Sequence, residues 1–304
     1  MNTDQFKHFA LVYKLRSFAL AASQVPMSPQ GLAKSIRKLE QEFDVEFFEA
    51  DASGARVPTE FGDCMMDFVN EAELQRVQLV WEFDRIRARR QKRVRVASCL
   101  GISGFIGLRL KEAFEARNPD VRIDLIELSD DACDEAISLG RVDLGFTLAP
   151  FDGRLANVPL FTEPFYLWIN VKDPRSKKEC VTMCDLDGAC VSSFGDGIKC
   201  DAVLRKRLAE AGSAPTFFNS PEVYWHYENA LLNRSIGLTV QHFVALKAFC
   251  ASDEVRAVPL DDLNWSIGLS YIPSHVFAEH EARFVDFVTT HAEAMAIEAR
   301  MSGC

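Results

Sequence analysis

The hydrophobic positions of residues 28–43 follow a helical period and define one face of a helix. They are separated by four, three and four residues and comprise Leu32, Ile36, Leu39 and Phe43. Ser28 followed by Pro29 is typical of a helix N-terminus, with serine as the N-cap and proline at the first helical position. We therefore predict a helix that begins after Ser28 and buries this stripe.

The opposite face of the same helix carries amide and cationic groups, and no acidic residue precedes Glu40. These side chains belong to Gln30, Lys34 and Arg37, with Lys38 at the edge. Residues 6–13 and 21–25 show two shorter amphipathic patterns, so three helices are predicted before residue 44. A basic third helix in such a group fits the helix-turn-helix geometry that the DNA major groove accepts. A three-helix bundle with a merely solvated polar face explains the periodicity equally well.

One long amphipathic helix is predicted from Thr59 onward, because no glycine or proline occurs between Gly62 and Arg93. Its hydrophobic seam has spacings of three and four over nearly four heptads. The seam comprises Phe61, Met65, Phe68, Ala72, Gln75, Leu79, Phe83 and Ile86. Such a seam indicates a partner helix, and a single helix packed on its own domain is the alternative. The arginine-rich stretch 85–93 predicts a flexible, solvated hinge, with contact to the DNA backbone as a minor alternative.

After residue 93, hydrophobic strands alternate with amphipathic helices, which predicts an α/β fold with parallel connections. The predicted strands are 94–98, 121–128, 142–148, 165–171, 191–194, 236–240 and 267–271; the predicted helices are 105–114, 131–139, 201–211, 221–233 and 277–299.

Sheets of this type bind ligands beyond the carboxyl ends of their strands. Hydroxyl groups and backbone amides follow several of these strands, which favours a cleft for a carboxylate or other small anion. The candidate ligand residues are Ser98, Cys99, Gly101, Ser103, Ser129, Thr147, Ser193 and Phe194. Each hydroxyl taken alone could instead cap a helix.

The composition is that of ordinary globular domains. The 304 residues are 48% hydrophobic without a long apolar run, and charges are scattered through the first twenty residues. We therefore predict a cytoplasmic protein with no membrane span and no secretory signal. The nine cysteines are scattered, so most are expected to be small buried hydrophobic residues. Cys180, Cys184 and Cys190 have poor spacing for zinc, and no metal or cofactor is expected.

The charge distribution makes any attraction to DNA local. Residues 1–93 contain 14 Lys and Arg and 14 Asp and Glu, so the net charge of −10 lies entirely after residue 93. DNA-binding domains usually carry net positive charge, because phosphate neutralisation supplies much of their affinity. Here the positive charge is concentrated on the third predicted helix.

Sequence motifs of catalysis are missing: the chain has no P-loop, no G-x-S-x-G and no H-E-x-x-H. His226, within the aromatic segment 224–227, is the most suggestive of the six histidines. We interpret it as a helix-surface or subdomain contact and not as a base. The sequence therefore does not favour an enzyme.

The N-terminal region resembles the DNA-binding domain of LysR-type transcriptional regulators. The matching positions are Phe6, Phe9, Ser17-Phe18, Ala21-Ala22, Ser28, Ile36, Leu39-Glu40, Phe47-Phe48-Glu49, Thr59 and Gly62. The resemblance implies an all-α winged helix-turn-helix domain at 1–58, a linker and dimerisation helix at 59–92 and an effector-binding α/β region at 93–304. In that family the α/β region has two subdomains of periplasmic-binding-protein type II. They would be 93–160 with 267–304, and 161–266, and the ligand cleft would lie between them.

The resemblance also implies function. The expected protein is a ligand-responsive regulator that binds double-stranded promoter DNA as a homodimer through the linker helix and assembles into a homotetramer. A small-molecule effector, such as an organic acid, would bind in the cleft and alter DNA binding. The DNA-binding residues expected from the sequence and the resemblance are Ser17, Phe18, Ser28, Pro29, Gln30, Lys34, Arg37, Lys38, Arg56 and Thr59. Rival hypotheses are a regulator-like protein that acts through partners, and a soluble α/β enzyme or solute-binding protein with a helical accessory domain.

Three positions depart from the family pattern. Ala50 stands where the family usually has an arginine that approaches phosphate, Ala33 replaces a serine and Lys34 replaces an arginine. Lysine lacks the planar fork with which arginine reads guanine. We therefore predict weak DNA binding with a shallow salt dependence.

A further alternative is a thiol-based redox sensor. Cys200 falls close to the position where peroxide-sensing members of the family carry their reactive thiol. Its place beside Lys199 at a predicted helix start suggests a lowered pKa. The partner cysteine of those sensors is replaced here by Arg207 and Leu208, so a buried or ligand-lining thiol is the favoured interpretation.

Overall fold

The computed structural model describes residues 2–51, 55–249 and 252–301. The chain divides into two compact units, residues 1–80 and residues 81–304. Within the described residues, no helix combines the length and the apolar character needed to cross a membrane. Cys250 and Cys304, two of the cysteines counted above, lie outside the described residues.

The N-terminal unit is built from three helices, a two-stranded wing and the first part of a long helix. Its elements are α1 (Thr3–Leu15), α2 (Phe18–Ala22), α3 (Pro29–Phe43), β1 (Phe48–Ala50), β2 (Arg56–Pro58) and α4 (Glu60–Arg90). The strands β1 and β2 pair antiparallel, with Glu49 opposite Val57. The wing is therefore a β-hairpin, which the all-α description of this domain left out.

Three of the four residues in the predicted stripe on α3 lie in the core of this unit. Leu32, Ile36 and Leu39 are fully buried, together with Phe9 of α1. Phe43 is 48% exposed, so its predicted burial is wrong. The physical reason is its position: α3 ends at Phe43, and the following residue turns into the left-handed conformation.

Among the described residues of the C-terminal unit there are eight strands, and helices lie between them in the chain. Its strands are β3 (Arg93–Cys99), β4 (Arg122–Leu128), β5 (Leu144–Leu148), β6 (Ala156–Asn170), β7 (Cys190–Ser193), β8 (Thr216–Asn219), β9 (Ile236–Val240) and β10 (Val255–Tyr271). Its α-helices are α5 (Leu108–Arg117), α6 (Asp130–Ser138), α7 (Lys199–Glu210), α8 (Val223–Leu231), α9 (Gln241–Val244) and α10 (Glu279–Met301). A π-helical turn at Ser103–Gly107 precedes α5, and 3-10 turns lie at Pro174–Lys177, Met183–Leu186 and Lys247–Phe249.

The eight strands form one sheet in the order β4-β3-β5-β10-β6-β9-β7-β8. Parallel pairs occur at both ends, where β3 lies between β4 and β5 and β7 lies between β8 and β9. The long strands β6 and β10 run antiparallel through the middle and pair with each other over most of their length. The prediction of parallel connections therefore holds at the two ends of the sheet. It missed the lengths of β6 and β10, since their polar positions broke the hydrophobic pattern.

The arginine-rich stretch 85–93 comprises the last turns of α4, a turn at Gln91 and Lys92, and the first residue of β3, so the predicted hinge is confined to that turn and its flexibility stays a prediction. Arg89 of α4 donates from Nε to Oε1 of the buried Glu281 at 3.1 Å, and from Nη2 to the carbonyl oxygen of Val276 at 2.6 Å. Arg93 forms an ion pair with Asp124 at 2.6 Å. The Arg89 contact joins the end of α4 to α10, and the Arg93 ion pair joins β3 to β4.

The cysteines are less buried than expected. The seven in the described residues are free thiols. Cys99, Cys133 and Cys200 are buried, whereas Cys64, Cys180 and Cys184 are exposed and Cys190 is half-buried. The expectation of mostly buried cysteines is therefore wrong for the exposed three. Among the described residues, no group of three or more His, Cys, Asp or Glu side chains could hold a metal ion.

Candidate DNA-binding surface and ligand cleft

The polar face of α3 is exposed along its first three turns. Ser28 caps the helix, and its Oγ accepts a hydrogen bond from the Gly31 amide at 3.1 Å. Pro29, also exposed, occupies the first turn. The exposed polar side chains that follow are Gln30, Lys34, Arg37 and Lys38. The helix thus presents one amide and three cations on the face opposite its buried stripe.

The other expected DNA-binding residues are half-buried and hold the domain together. Ser17 caps α2 through its Oγ, which accepts from the Leu20 amide at 3.4 Å. The Arg56 guanidinium lies 5.4 Å from the centroid of the Phe18 ring, a cation–π distance. Thr59 Oγ1 donates to the carbonyl oxygen of Glu46 at 2.6 Å. These side chains therefore connect α2, the wing and the start of α4.

The seam of α4 is largely exposed to solvent. Its large exposed hydrophobic side chains are Phe61, Phe68, Leu79, Phe83 and Ile86. Met65 is the exception, because it is 7% exposed and belongs with Met66 and Val69 to the core of the N-terminal unit. Within the predicted seam, Met65 is therefore a core residue, Ala72 is half-buried, and the other six residues are exposed to solvent.

An inner cavity of about 70 Å³ lies in the C-terminal unit. Most of its lining is apolar and includes the aromatic side chains of Phe165, Phe194, Phe243 and Trp265. Of the residues proposed from the sequence, Gly101, Phe194 and Cys200 line it. A wider groove of about 860 Å³ shares five lining residues with it, among them Gly101 and Phe243. The two spaces form a cleft with a narrow apolar end and a wide outer end, which we call the effector cleft.

The hydroxyl groups expected in this cleft are mostly inside the protein. Ser98, Cys99, Thr147 and Ser193 are each fully buried. The Thr147 hydroxyl is 2.6 Å from that of Ser270, and Ser193 donates to Asn219 Oδ1 at 3.1 Å. Ser129 is exposed at the start of α6 without a side-chain capping bond. None of these residues is among those that line the inner cavity or the outer groove. Sequence position at a strand end did not determine the direction of the side chain.

The donors expected to hold an anion already have a carboxylate partner. Glu127 Oε1 accepts from the Gly101 amide at 3.1 Å and from Ser103 Oγ at 2.5 Å. Glu127 lies on β4, next to the π-helical turn, and lines the outer groove. A carboxylate of the chain itself therefore satisfies this predicted anion site.

A carboxyl group missed by the sequence analysis lines the inner cavity. Asp130, at the start of α6, is 1% exposed. Its Oδ2 accepts from the Lys199 backbone amide at 2.8 Å, and its Oδ1 has no hydrogen-bond partner among the described residues. Burial raises the pKa of Asp130, although the Lys199 amide and the Cys99 thiol oppose the shift. Its only signal in the sequence was an acidic residue in a helix first turn, which is common in helices.

The ammonium group of Lys199 is directed at a different carboxylate. Its Nζ lies 2.5 Å from Asp134 Oδ2 and donates to the carbonyl oxygen of Leu148 at 3.0 Å. Burial raises the pKa of Asp134, and the contact with Lys199 opposes this. The pair Asp134–Lys199 thus stands beside the cavity, and Asp130 contacts Lys199 through the main chain.

The Cys200 thiol has the opposite electrostatic setting to the predicted one. Burial raises its pKa well above the usual range, and the nearby carboxyl groups of Asp130 and Asp201 raise it further. The suggested lowering by Lys199 is therefore wrong, because that ammonium group faces Asp134. A thiol that stays protonated is a weak nucleophile towards peroxide. Cys200 is a buried lining residue of the inner cavity.

His226 lies in the protein interior and has hydrogen-bond partners for both ring nitrogens. It is fully buried, and its two ring nitrogens lie 2.7 Å from the Leu238 carbonyl oxygen and 2.8 Å from that of Ser220. Of the two predicted settings, the helix-surface position is therefore wrong, and the ring makes its contacts inside the C-terminal unit. The ring joins α8 to β9 and to the loop that precedes α8.

Two family models match the chain. The model described as "Bacterial regulatory helix-turn-helix protein, lysR family" matches residues 3–63. The model described as "LysR substrate binding domain" matches residues 87–293. The chain belongs to the lysR family. Among curated members, the Hca operon transcriptional activator HcaR of Escherichia coli is 25% identical over 196 residues, which cover 62% of this chain and 63% of HcaR. The chain spans between about half and two-thirds of the length of the first curated relatives that it matches.

Solved structures of lysR-family proteins share the fold along almost the whole chain. The oxidized form of Corynebacterium glutamicum OxyR has a TM-score of 0.54 and 15% identity, covering 99% of this chain and 94% of that chain. Full-length BenM has a TM-score of 0.55 and 18% identity, covering 97% and 98%. BenM is named as a transcriptional regulator of Acinetobacter baylyi. The shared fold is an N-terminal helix-turn-helix domain, a linker helix and a two-subdomain α/β region.

Proposed function

We propose that this lysR-family chain is a DNA-binding transcriptional regulator whose affinity for DNA responds to a small molecule in the effector cleft. The observation that carries the proposal is α3. One face of this helix is buried and the other presents Gln30 and three exposed cations, Lys34, Arg37 and Lys38. A helix of this kind can enter the major groove and contact bases and phosphates.

The assembly that we propose is a dimer through α4, and a tetramer as a pair of such dimers. The support is the set of large hydrophobic side chains exposed along α4, namely Phe61, Phe68, Leu79, Phe83 and Ile86, since so many apolar side chains on one helix are rarely left in water. The proposed boundaries are 1–58 for the DNA-binding domain, 59–92 for the linker helix and 93–304 for the effector-binding region. Within the last, the subdomains would be 93–160 with 267–304, and 161–266.

Among the expected DNA-contacting residues, we propose two roles. Gln30, Lys34 and Arg37 contact base edges and phosphates, because they are exposed on successive turns of one helix face. The half-buried Phe18 and Arg56 position the wing against α2. A redox role for Cys200 is not favoured, because its thiol is buried and its pKa is raised.

The test measures whether binding of a compound and binding of DNA affect each other. A compound that raises the melting temperature should also change the affinity for DNA of the gene's upstream region, by roughly 5- to 150-fold for typical allosteric coupling. By linkage, the DNA must change the affinity for the compound by the same factor. Fluorescence anisotropy measures the first affinity and calorimetry the second.

Matched variants localise the effect. Val223 is half-buried and lines both parts of the effector cleft, so Val223→Trp should remove compound binding while DNA binding persists. Leu232→Trp places the same side chain at an exposed site that follows α8 and should change neither affinity. A compound that binds in the cleft with no effect on DNA affinity contradicts the proposed regulation.

A further inference from the structure

The donors that the sequence suggested for a carboxylate ligand in the effector cleft are already engaged, and the cation Arg109 lies in the outer groove. The Gly101 amide and the Ser103 hydroxyl, which follow the first strand of the unit, both donate to Glu127. The hydroxyls of Ser98 and Thr147 are buried and engaged within the protein. An anionic ligand at this end of the cleft would have to displace Glu127 and would meet its negative charge.

The inner cavity instead offers an acceptor. Asp130 is 1% exposed and lines the cavity, its Oδ1 accepts no hydrogen bond of normal geometry from the described residues, and the donor nearby is the Cys99 thiol, which is a weak one. A buried carboxyl oxygen without a strong donor is costly, since it has lost its hydration. Its neighbour Oδ2 is satisfied by the Lys199 amide. A ligand that donates a hydrogen bond to Oδ1 would give both oxygens of Asp130 a partner.

The charges around the cleft favour a cationic donor. The Lys199 ammonium group is paired with Asp134, so the nearest cation is committed to another carboxylate. In the outer groove, Glu127 and Glu222 are lining residues, and Arg109 is a cation there. Burial raises the pKa of Asp130, and a ligand cation beside it would offset the cost of ionisation.

The aromatic lining of the inner cavity also favours a cationic ligand with an apolar body. The inner cavity is lined by the rings of Phe165, Phe194, Phe243 and Trp265. Aromatic faces attract cations and also bury the hydrocarbon part of a ligand. The inner volume of about 70 Å³ suits a head group with a short chain, and the groove of about 860 Å³ has room for a larger body.

We propose that the effector is a small apolar amine whose ammonium group donates to Asp130, and that Asp130 determines this specificity. The proposal rests on the proposed function, because it assigns the ligand of the regulatory cleft. Glu127 then acts as an internal carboxylate that occupies the anion site and disfavours organic acids.

The experiment compares three probes that share one ring: 2-phenylethylamine, 2-phenylethanol and phenylacetate. Calorimetry on the full-length protein should show the amine binding at least tenfold more tightly than either other probe. Asp130→Asn keeps the shape and the acceptor for the Lys199 amide, and it should weaken amine binding at least tenfold. Asp131→Asn removes the same charge from the exposed neighbouring residue and should change the affinity less than twofold.

A second variant tests the internal carboxylate and does not depend on Asp130. Glu127→Ala frees the Gly101 and Ser103 donors, so phenylacetate should bind at least fivefold more tightly than to the native protein. Melting curves of both variants check that each is folded. Unchanged phenylacetate affinity in folded Glu127→Ala overturns the role given to Glu127.

Other outcomes separate this proposal from the function on which it rests. Phenylacetate binding to the native protein more tightly than the amine, with a change in DNA affinity, overturns the amine proposal and leaves the regulator intact. Amine binding that survives Asp130→Asn, or no amine binding at millimolar concentration by protein that binds DNA, also overturns it. A ligand in the cleft that never alters DNA affinity overturns the proposed function instead.

Discussion

Helix α3 and the effector cleft place their charged groups in opposite settings. On α3, Lys34, Arg37 and Lys38 are exposed to solvent. In the cleft, Asp130 is buried against an apolar wall, and beside it the buried Asp134 pairs with the half-buried Lys199. Exposed cations act through water and are screened by salt, whereas buried carboxyl groups act at hydrogen-bond distance and depend on exact partners.

This difference teaches how the two sites should respond to change. Substitutions of the exposed cations on α3 should alter the affinity for DNA and its salt dependence, and should leave folding almost unchanged. Substitutions of buried groups should alter stability or ligand specificity, since an unpaired buried charge has no water to compensate it. The predictions below test this division, beginning with the largest effect.

The largest effect is expected within α4, where buried and exposed seam residues can be compared directly. Met65→Glu places a charge in the core of the N-terminal unit and should destabilise that unit by roughly 3–5 kcal/mol. Leu79→Glu changes a side chain that is 52% exposed and should leave folding intact while lowering the molar mass in solution. Circular dichroism and light scattering measure the two effects. If the Met65→Glu protein stays folded and its molar mass in solution falls, Met65 lies at the subunit interface and not in the core.

A smaller effect is expected at Glu281, the buried partner of Arg89. Although burial opposes it, hydrogen bonds from His275, the Ala278 amide and Arg89 lower the pKa of Glu281 from 4.5 to about 2. The folded state therefore holds this carboxylate ionised, and its contribution is present above pH 4.5 and lost as the pH falls towards 2. Glu281→Gln should cost roughly 2 kcal/mol at pH 7.

The pH dependence is the sharper part of this prediction. All four tryptophans lie in the C-terminal unit, so their fluorescence in urea reports on its unfolding. The difference in stability between native protein and Glu281→Gln should shrink between pH 5 and pH 3. Glu279→Gln, at an exposed site in the same helix turn, is the matched control. A difference that stays constant across this range would mean that the Glu281 carboxylate is not the source.

The sequence specified the elements better than the site. Helical periodicity predicted the burial of Leu32 and Ile36, because on a helix the hydrophobic face and the buried face coincide. Strand β9 was predicted with its observed bounds, Ile236–Val240, because a short apolar run between polar residues marks a buried strand.

The cleft was predicted less well for a physical reason. Ser98 and Thr147 lie in strands covered on both faces, so their hydroxyls are buried although they stand near strand ends. Glu127 became a site residue through contacts between β4 and the segment before α5, and Asp130 through a contact between the starts of α6 and α7. Such contacts join distant segments, and a single sequence carries no local pattern for them.

The most direct test of the central claim is the salt dependence of binding to the gene's own upstream DNA, measured by fluorescence anisotropy for native protein, Lys34→Ala and Ala50→Arg. We predict weak native binding with a shallow slope, and a loss of about 1–3 kcal/mol or more in Lys34→Ala. Ala50→Arg, on the exposed end of β1, should tighten binding and steepen the slope by about 0.9 for each phosphate gained. Lys7→Ala, an exposed cation on α1, should change little and serves as the control. Equal affinity of native protein and Lys34→Ala, or no native binding at any salt concentration, would contradict the account.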